Sequence, residues 1–357
     1  MKHLALVLAL LLATSGLHAA EKVRVSLFSW PGYAFWFIAK EKNLAPDLDL
    51  DIQIIEDPYE SFGQMAAGNL DITSSTVEYA PIAADTGVPV KLVAYTNPST
   101  GTDKIILSPA IKDPKELKGK SVAVLEGGLT QIFMGIWLEN NGLKFDDVKY
   151  TNVVMDDAVA AMMSGNVAAG EFWEPFGGKV LETLEGSRVA ATSLDPYWLG
   201  TALLGDGMYM SGSFLSEKPE LAAKALKAYF DAVEWWKKNP AEGNKIIADA
   251  IQFDVKDVVD VIGDTGSGKE GGIYVFDLAE AARFMGAMPG NPPLGLGNGQ
   301  IKNHWALTTE WWKKFRPRKG RSFHRGRHRL RAHRSHLEGV SACRPLSAQP
   351  LRCPFSA

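Results

Sequence analysis

The first third of the chain alternates strand-like and helix-like patterns. Residues 23–30, VRVSLFSW, alternate apolar and polar positions as a half-buried strand does. A PGY turn follows, and residues 34–44 then carry apolar side chains at the spacing of an amphipathic helix. The pattern continues with predicted strands at 50–56, 70–76 and 90–96 and predicted helices at 59–69 and 78–87. Strands that alternate with helices predict a mostly parallel sheet covered by helices.

A second alternating set begins after KIILSP at 104–109, which the pattern predicts as a linking strand. Its predicted strands are 120–128, 148–154 and 167–173, and its predicted helices are 130–142 and 157–166. Residues 200–212 predict a strand that crosses back, and residues 217–240 predict a long amphipathic helix with further helices after it. Two sheets joined by two crossings predict a bilobed protein. Its ligand cleft should lie where loops leave the carboxyl ends of the strands.

The net charge of −3 combines two regions of opposite sign. Residues 316–357 hold 11 of the 38 Lys and Arg but only one of the 41 Asp and Glu, so residues 1–315 carry a balance of −13. The basic tail has little apolar content and no periodicity, which predicts disorder. It is either an arm for an anionic surface or the product of an altered reading frame near Phe315. We assign it no function and predict no nucleic-acid partner.

Residues 1–20 have the pattern of an export signal. Lys2 precedes an apolar run from Leu4 to Ala13, and small residues follow at Ala19 and Ala20. The apolar run is too short to span a bilayer, so we expect cleavage near Ala19 or Ala20 and an exported protein.

The cysteine and histidine counts argue against several kinds of chemistry. Residues 21–315 contain no Cys, and His304 is their only His. This region therefore has no disulfide, no thiolate nucleophile and no CxxC metal site, and one His is too few for a typical zinc site. We predict no metal and no cofactor.

Three stretches carry specific signatures: AAGNLDITSSTVEYAPIAADTGVPVKLVA at 66–94, IKDPKELKGKSVAVLEGGLTQ at 111–131 and SGNVAAGEFWEPF at 164–176. They resemble the periplasmic substrate-binding proteins of ABC importers, in the NMT1/THI5-like branch that includes taurine, alkanesulfonate, nitrate and thiamine-pyrimidine binders. The resemblance covers roughly residues 23–312. It implies an α/β, bilobed periplasmic binding protein fold of type II, with two mostly parallel sheets, flanking helices and two crossover strands.

The resemblance also implies a domain plan and a role. Lobe 1 would comprise residues 21–105 and 205–315 and lobe 2 residues 106–204, between the signal at 1–20 and the tail at 316–357. The protein would be a monomeric, periplasmic solute-binding protein that delivers a small molecule to a membrane permease, and not an enzyme. Enzymes on this fold are the rival class. Pyrimidine-synthesising relatives and porphobilinogen deaminase would need Cys or His residues that residues 21–315 lack.

The family's ligand contacts come from the loops that follow the strands and from the returning strand. By this resemblance the candidate residues are Trp30 and Tyr33 after the first strand; Ser74, Ser75, Thr76 and Glu78 after the third; Gly128, Thr130 and Gln131 in the GGLTQ loop; Glu171, Trp173 and Glu174 in GEFWEPF; and Asp206 on the returning strand. In taurine-type members an acid at the position of Asp206 meets the ammonium group of the ligand.

The chain departs from the sulfonate-binding pattern in one respect. No Arg lies between Arg24 and Arg188, although Arg suits the bidentate capture of sulfonate or phosphate. Several acids and aromatic faces suit a cationic amine, an amidine or an aminopyrimidine instead, since carboxylates pair the charge and rings attract it. A binder of taurine, an alkanesulfonate or nitrate is the alternative, because helix N-termini alone can hold an anion.

The stretch GEFWEPF at 170–176 has a structural interpretation beside the functional one. Trp173 follows an apolar strand, so it can belong to the core or to a ligand wall. Period-two alternation from Ala169 places Glu171 and Trp173 on one face, so we expect one glutamate in the cleft and the other in water. Glu78 can equally start a helix.

Overall fold

Two five-stranded sheets form the framework of the protein. The computed structural model describes residues 20–267 and 272–315; the predicted tail, and all but the last residue of the predicted signal, lie outside this range. The strands are β1 (Glu21–Leu27), β2 (Leu48–Ile54), β3 (Ile72–Thr76), β4 (Val90–Pro98), β5 (Lys104–Leu107), β6 (Ser121–Val124), β7 (Lys149–Asn152), β8 (Ala169–Phe172), β9 (Arg188–Thr192) and β10 (Gly205–Ser211). No helix in the described ranges is long and apolar enough to cross a membrane.

Thirteen α-helices lie within the described residues and flank the sheets. They are α1 (Phe35–Glu41), α2 (Pro58–Ala66), α3 (Tyr79–Thr86), α4 (Leu129–Asn140), α5 (Met155–Met163), α6 (Phe176–Thr183), α7 (Pro196–Thr201), α8 (Gly212–Glu217), α9 (Pro219–Lys238), α10 (Pro240–Ile251), α11 (Val255–Ile262), α12 (Leu278–Met285) and α13 (Ile301–Phe315). The sequence patterns missed four short elements: α6, β9, α7 and α8.

The first sheet has the strand order β2-β1-β3-β10-β4 and the second the order β7-β6-β8-β5-β9. In each sheet one strand runs against its neighbours: β10 is antiparallel to β3 and β4, and β5 is antiparallel to β8 and β9. Each of these strands is the first strand in the chain after a crossing between the sheets. The predicted α/β plan of two mostly parallel sheets is therefore confirmed, with β5 as an interior strand rather than a simple link.

The two crossings place two short segments of chain side by side at the base of the cleft. The first crossing comprises residues 99–103, and the second comprises residues 193–204, between β9 and β10, and includes α7. Ser193, at the start of the second crossing, donates its backbone N–H to the carbonyl of Asp103 at 3.0 Å. Its hydroxyl accepts from Ser99 Oγ at 2.7 Å and from the Gly101 N–H at 2.8 Å. These bonds fix the backbone on which Asp103 is carried.

Apolar packing holds helices α1 and α9 against the first sheet. Val23 and Val25 of β1 are fully buried beneath α1 and α9. Phe35 of α1 meets Tyr229 and Trp236 of α9 edge to face, with ring centroids 5.8 and 5.4 Å apart. Burying aromatic rings of this size contributes much of the stability of such a core.

The end of α13 packs into the core of the second sheet. Trp312 and Phe315 join the cluster that contains Phe133 of α4, and the Phe315 ring stacks on Phe145 with centroids 4.2 Å apart. The sequence prediction had placed the whole of residues 205–315 in lobe 1. Helix α13 contacts both cores, because Ile301 at its start belongs to the core of the first sheet and Trp312 and Phe315 near its end belong to that of the second. The lobe bounds themselves stay a prediction.

Candidate functional site

A small cavity lies where the two crossings meet the loops at the strand ends. Its free volume is about 30 Å³, which is room for about two water-sized groups. Seven of the thirteen candidate residues line it: Trp30, Tyr33, Thr76, Gly128, Thr130, Trp173 and Asp206. The sequence had not singled out the other lining residues: Phe28, Tyr79, Ser99, Thr102, Asp103, Leu125, Leu129, Gly205 and Ile273.

Asp206 is a buried acid that three neutral donors hold in place. Trp30 Nε1 donates to Asp206 Oδ2 at 3.0 Å, and Asn97 Nδ2 donates to the same oxygen at 2.6 Å. The Tyr33 hydroxyl donates to Oδ1. Burial raises the pKa of Asp206 from its ordinary 3.8 to about 7, although these hydrogen bonds oppose the rise. The carboxyl group is thus fixed in orientation but receives no compensating positive charge from these three donors.

Asp103 is a second buried acid on the cavity wall. It lies in the first crossing and is 4% exposed. Burial raises its pKa to about 6, and its charge in turn helps to raise the pKa of Asp206. The two carboxyl groups therefore lie close enough to interact. No sequence pattern pointed to Asp103, because TGTDK at 100–104 contains no motif and the position of Asp103 depends on the crossing.

Glu171 lies behind Asp103 rather than on the cavity wall. It is fully buried in β8, and neither carboxyl oxygen has a hydrogen-bond partner of normal geometry among the described residues. Burial, followed by the nearby charge of Asp103, raises its pKa well above the ordinary range. Both effects favour the neutral form of the Glu171 carboxyl. The predicted alternation fails here because Trp173 lies beyond the last residue of the strand, and of the two residues only Trp173 reaches the cavity.

Lys104 is the basic residue nearest to these acids along the chain, and it is already paired. Its Nζ contacts Glu174 Oε1 at 2.5 Å and donates to the Gly101 carbonyl at 2.8 Å. The Lys104 and Glu174 side chains are 18% and 19% exposed, so Glu174 forms a shielded ion pair and is not the freely solvated acid that the sequence suggested. Among the described residues, no Lys or Arg lines the cavity.

Aromatic rings form much of the remaining wall. The Trp30 and Trp173 rings meet edge to face at 6.2 Å, and Phe28 lies 4.9 Å from Tyr33 and 6.1 Å from Trp173. The Trp173 indole N–H is buried and has no acceptor in the described part of the chain. Faces of this kind attract cations electrostatically.

The N-terminus of α4 closes another side of the cavity, but several of its polar groups are already used. The Gly127 N–H donates to Gln131 Oε1 at 2.9 Å, so Gln131 braces the loop from outside the cavity. The Leu129 N–H donates to Thr76 Oγ1 at 3.3 Å. The Thr130 hydroxyl accepts from the Leu125 N–H at 2.7 Å. Because N–H groups at this helix terminus already donate to acceptors within the protein, fewer of them are available to bind an anion.

The remaining candidates are buried away from the cavity. Ser74 accepts from Trp36 Nε1 at 3.1 Å, and Ser75 is 1% exposed. Glu78 precedes α3 and is fully buried, with Oε1 3.6 Å from Nε2 of His304. All three lie on the first-sheet side, within or just after β3. The described residues contain no group of three or more His, Cys, Asp or Glu side chains that could hold a metal ion.

The two sheets, the paired crossings and the cavity between them define the class of this protein. The fold is that of the bilobed periplasmic binding proteins, and solved members superpose over most of both chains. The aliphatic sulphonate binding protein SsuA of Escherichia coli matches with a TM-score of 0.62 at 17% identity, covering 82% of this chain and 87% of that one. A sequence model of the NMT1/THI5-like family matches residues 30–243, and the chain belongs to that family.

Two other similar proteins carry names that refer to sulfonates. A Bacillus subtilis protein named "Putative aliphatic sulfonates-binding protein" is 29% identical over 211 residues, which is 57% of this chain and 60% of that protein. The alkanesulfonate-binding protein SsuA of Xanthomonas axonopodis pv. citri, solved with bound MOPS, has a TM-score of 0.65 at 15% identity and covers 85% of this chain and 96% of that one. The chain thus aligns with about three fifths of the length of the Bacillus relative.

Proposed function

We propose that this protein is the extracytoplasmic solute-binding component of an ABC importer. Family membership, the bilobed fold and the names of similar proteins support this role. In this role the protein works in the periplasm, binds a small molecule between its lobes and passes it to a membrane permease. Lobe closure on the ligand would signal occupancy to the permease. The role requires binding and no chemical conversion.

The ligand that fits the cavity best is a small, positively charged nitrogen compound. The observation that carries this proposal is that Asp103 and Asp206 are buried in the cavity wall while no Lys or Arg in the described residues lines it. A buried carboxylate is costly unless it is paired with a cation or protonated. An amine, amidine or aminopyrimidine would supply that charge, and the Trp30 and Trp173 rings would add cation–π attraction of about 0.5–2 kcal/mol each.

Taurine, an alkanesulfonate or nitrate is the second candidate class. The N-terminus of α4 reaches the cavity at Gly128 and Thr130, and the Trp173 indole N–H is free to donate to an anion. Taurine also carries an ammonium that could meet Asp206. Against this class, the Gly127 and Leu129 N–H groups already have acceptors within the protein.

A thermal-shift panel tests the ligand class. The purified protein is heated with guanidinium, agmatine, choline, an aminopyrimidine, taurine, an alkanesulfonate or nitrate, each matched for ionic strength with sodium chloride. A ligand at 100 times its dissociation constant should add about 2.7 kcal/mol to the free energy of unfolding. We expect stabilisation by one or more cations and none by the anions. Stabilisation by sulfonate or nitrate alone would assign the cavity to the second class.

A further inference from the structure

Asp103 lines the cavity although no sequence pattern predicted it, and its position relative to Asp206 indicates a role in ligand recognition. Asp103 enters from the first crossing and Asp206 from the strand that follows the second crossing. The two carboxyl groups thus reach one cavity from separate segments of chain. A ligand between them would be held at two places rather than one.

The bonding of the two acids differs in a way that matters for recognition. Asp206 accepts three hydrogen bonds from Trp30, Tyr33 and Asn97, so its orientation is fixed before any ligand arrives. Asp103 is placed by its backbone, through the carbonyl that accepts from the Ser193 N–H, and its carboxyl interacts with the Ser99 and Glu171 side chains. Behind it lies the fully buried Glu171 carboxyl, whose pKa burial raises well above its ordinary range. Glu171 therefore meets Asp103 from the side away from the cavity.

The charges around the cavity and its free volume limit the class of cation that it can bind. The Lys104 ammonium contacts Glu174 and backbone carbonyls and does not line the cavity, although its charge partly opposes the effect of burial on the pKa of Asp103. The free space of about 30 Å³ favours a cation of a few heavy atoms. A planar guanidinium or amidinium group presents N–H donors along separate edges and matches carboxylates by paired hydrogen bonds. A simple ammonium group offers a single point of charge.

We propose that Asp103 is a second ligand-recognition residue, and that the ligand is a compact guanidinium or amidinium cation bridging Asp103 and Asp206. This inference rests on the proposed cation-binding function and goes further by naming the second carboxylate and the shape of the cation. One edge of the planar cation would donate to Asp206 and another to Asp103, beside the rings of Trp30 and Trp173.

The test compares two cations on matched variants. Isothermal titration at pH 8 and constant ionic strength gives the dissociation constants of guanidinium and methylammonium for the wild type, Asp103→Asn and the control Asp49→Asn. Asp49 is an exposed acid on β2. Because Asp103→Asn removes a charged hydrogen-bond acceptor, we expect guanidinium affinity to fall by about 10–100-fold. Methylammonium should lose at least tenfold less, and Asp49→Asn should leave both constants within about twofold.

Each alternative result has a distinct meaning. Equal losses for the two cations would show that Asp103 acts only as a general negative charge, and no loss would show that it is not a recognition residue. Either result overturns this inference while the cation-binding function stands. A wild type that binds neither these cations nor any cation of the panel would overturn both. If Asp103→Asn does not yield folded protein, Asp103→Glu keeps the charge, displaces it by one methylene and should lower the same guanidinium-to-methylammonium ratio.

Discussion

Replacing Asp206 by asparagine should stabilise the protein and at the same time remove its affinity for cations. The change keeps the size of the side chain and removes its charge. The Asn amide oxygen can accept from Trp30 and Asn97, and its NH₂ can donate to the Tyr33 hydroxyl, which then acts as acceptor. All three hydrogen bonds can therefore survive, so the main difference is the cost of a buried charge.

The magnitude follows from the pKa of Asp206, which burial raises from 3.8 to about 7. A shift of about three units corresponds to about 4 kcal/mol, at 1.36 kcal/mol per unit. Below pH 3.8 both folded and unfolded states are protonated and the penalty is absent. Between pH 3.8 and 7 the unfolded state loses its proton first, so the penalty grows, and above pH 7 it is complete. The stability gain of Asp206→Asn should thus reach about 4 kcal/mol at pH 8 and be small at pH 4.

Urea unfolding followed by circular dichroism at pH 8 and pH 4 measures this gain. The wild type and Asp49→Asn should show nearly the same midpoints, because Asp49 is exposed. A variant Asp206→Asn that is less stable than the wild type at pH 8 would refute the reasoning. It would mean that the three donors stabilise the ionised carboxylate by more than burial destabilises it.

Three further predictions concern the wall of the cavity and its acids. Cation affinity should rise between about pH 5 and pH 8, because Asp103 and Asp206 have pKa values raised to about 6 and about 7 and only their ionised forms attract the ligand; titration in buffers of different ionisation enthalpy should detect the released protons. Trp173→Ala should weaken cation binding by about 2–30-fold through the lost cation–π attraction, measured by calorimetry. Gly205→Ala should lower the free energy of unfolding by about 1–3 kcal/mol, because a Cβ there would lie 2.0 Å from the Tyr95 hydroxyl; denaturant unfolding measures it.

Matched controls separate these effects from general damage. Trp305→Ala removes a half-exposed indole that does not line the cavity, so cation affinity should stay unchanged. Gly200→Ala places a Cβ in α7 where no heavy atom lies within 4 Å, so stability should hold or improve slightly. A flat pH profile for cation binding would contradict the role of the two acids, and equal effects of both tryptophan variants would contradict the role of Trp173.

The framework of the protein could be predicted from the sequence because its signals are local. Strand-like stretches such as 23–30 and 120–128 alternate along the chain with stretches whose apolar residues have the spacing of a helix. The two sheets with their flanking helices follow from that order. Trp30 and Asp206 were also within reach, since each lies at or near a strand that borders the cleft. The family resemblance then selected these strand ends from the many loops of the chain.

The finer layout of the site depended on contacts that no local pattern encodes. Asp103 reaches the cavity only because Ser193, ninety residues later, fixes the crossing that carries it. Glu171 seemed to share a face with Trp173, but β8 ends at Phe172 and the alternation stops there. Glu78 and Ser75 follow or end a buried strand as predicted, yet both are covered within the first lobe. Strand pairing and crossings therefore decided which polar residues line the cavity.

The sign of the pH dependence can separate the two ligand classes without knowledge of the ligand itself. Two unit charges about 4 Å apart interact by about 4 kcal/mol at an effective dielectric constant of about 20. An ionised Asp103 or Asp206 would therefore attract a cation and repel an anion by comparable amounts. A cation should bind more tightly as the pH rises through 6 and 7, while an anion at the N-terminus of α4 should bind more tightly as the pH falls and these acids become protonated. Whichever compound of the panel binds, affinity that increases toward acid pH would contradict the cation assignment. In either case Asp206→Asn should reduce the slope and leave the part that Asp103 contributes at lower pH.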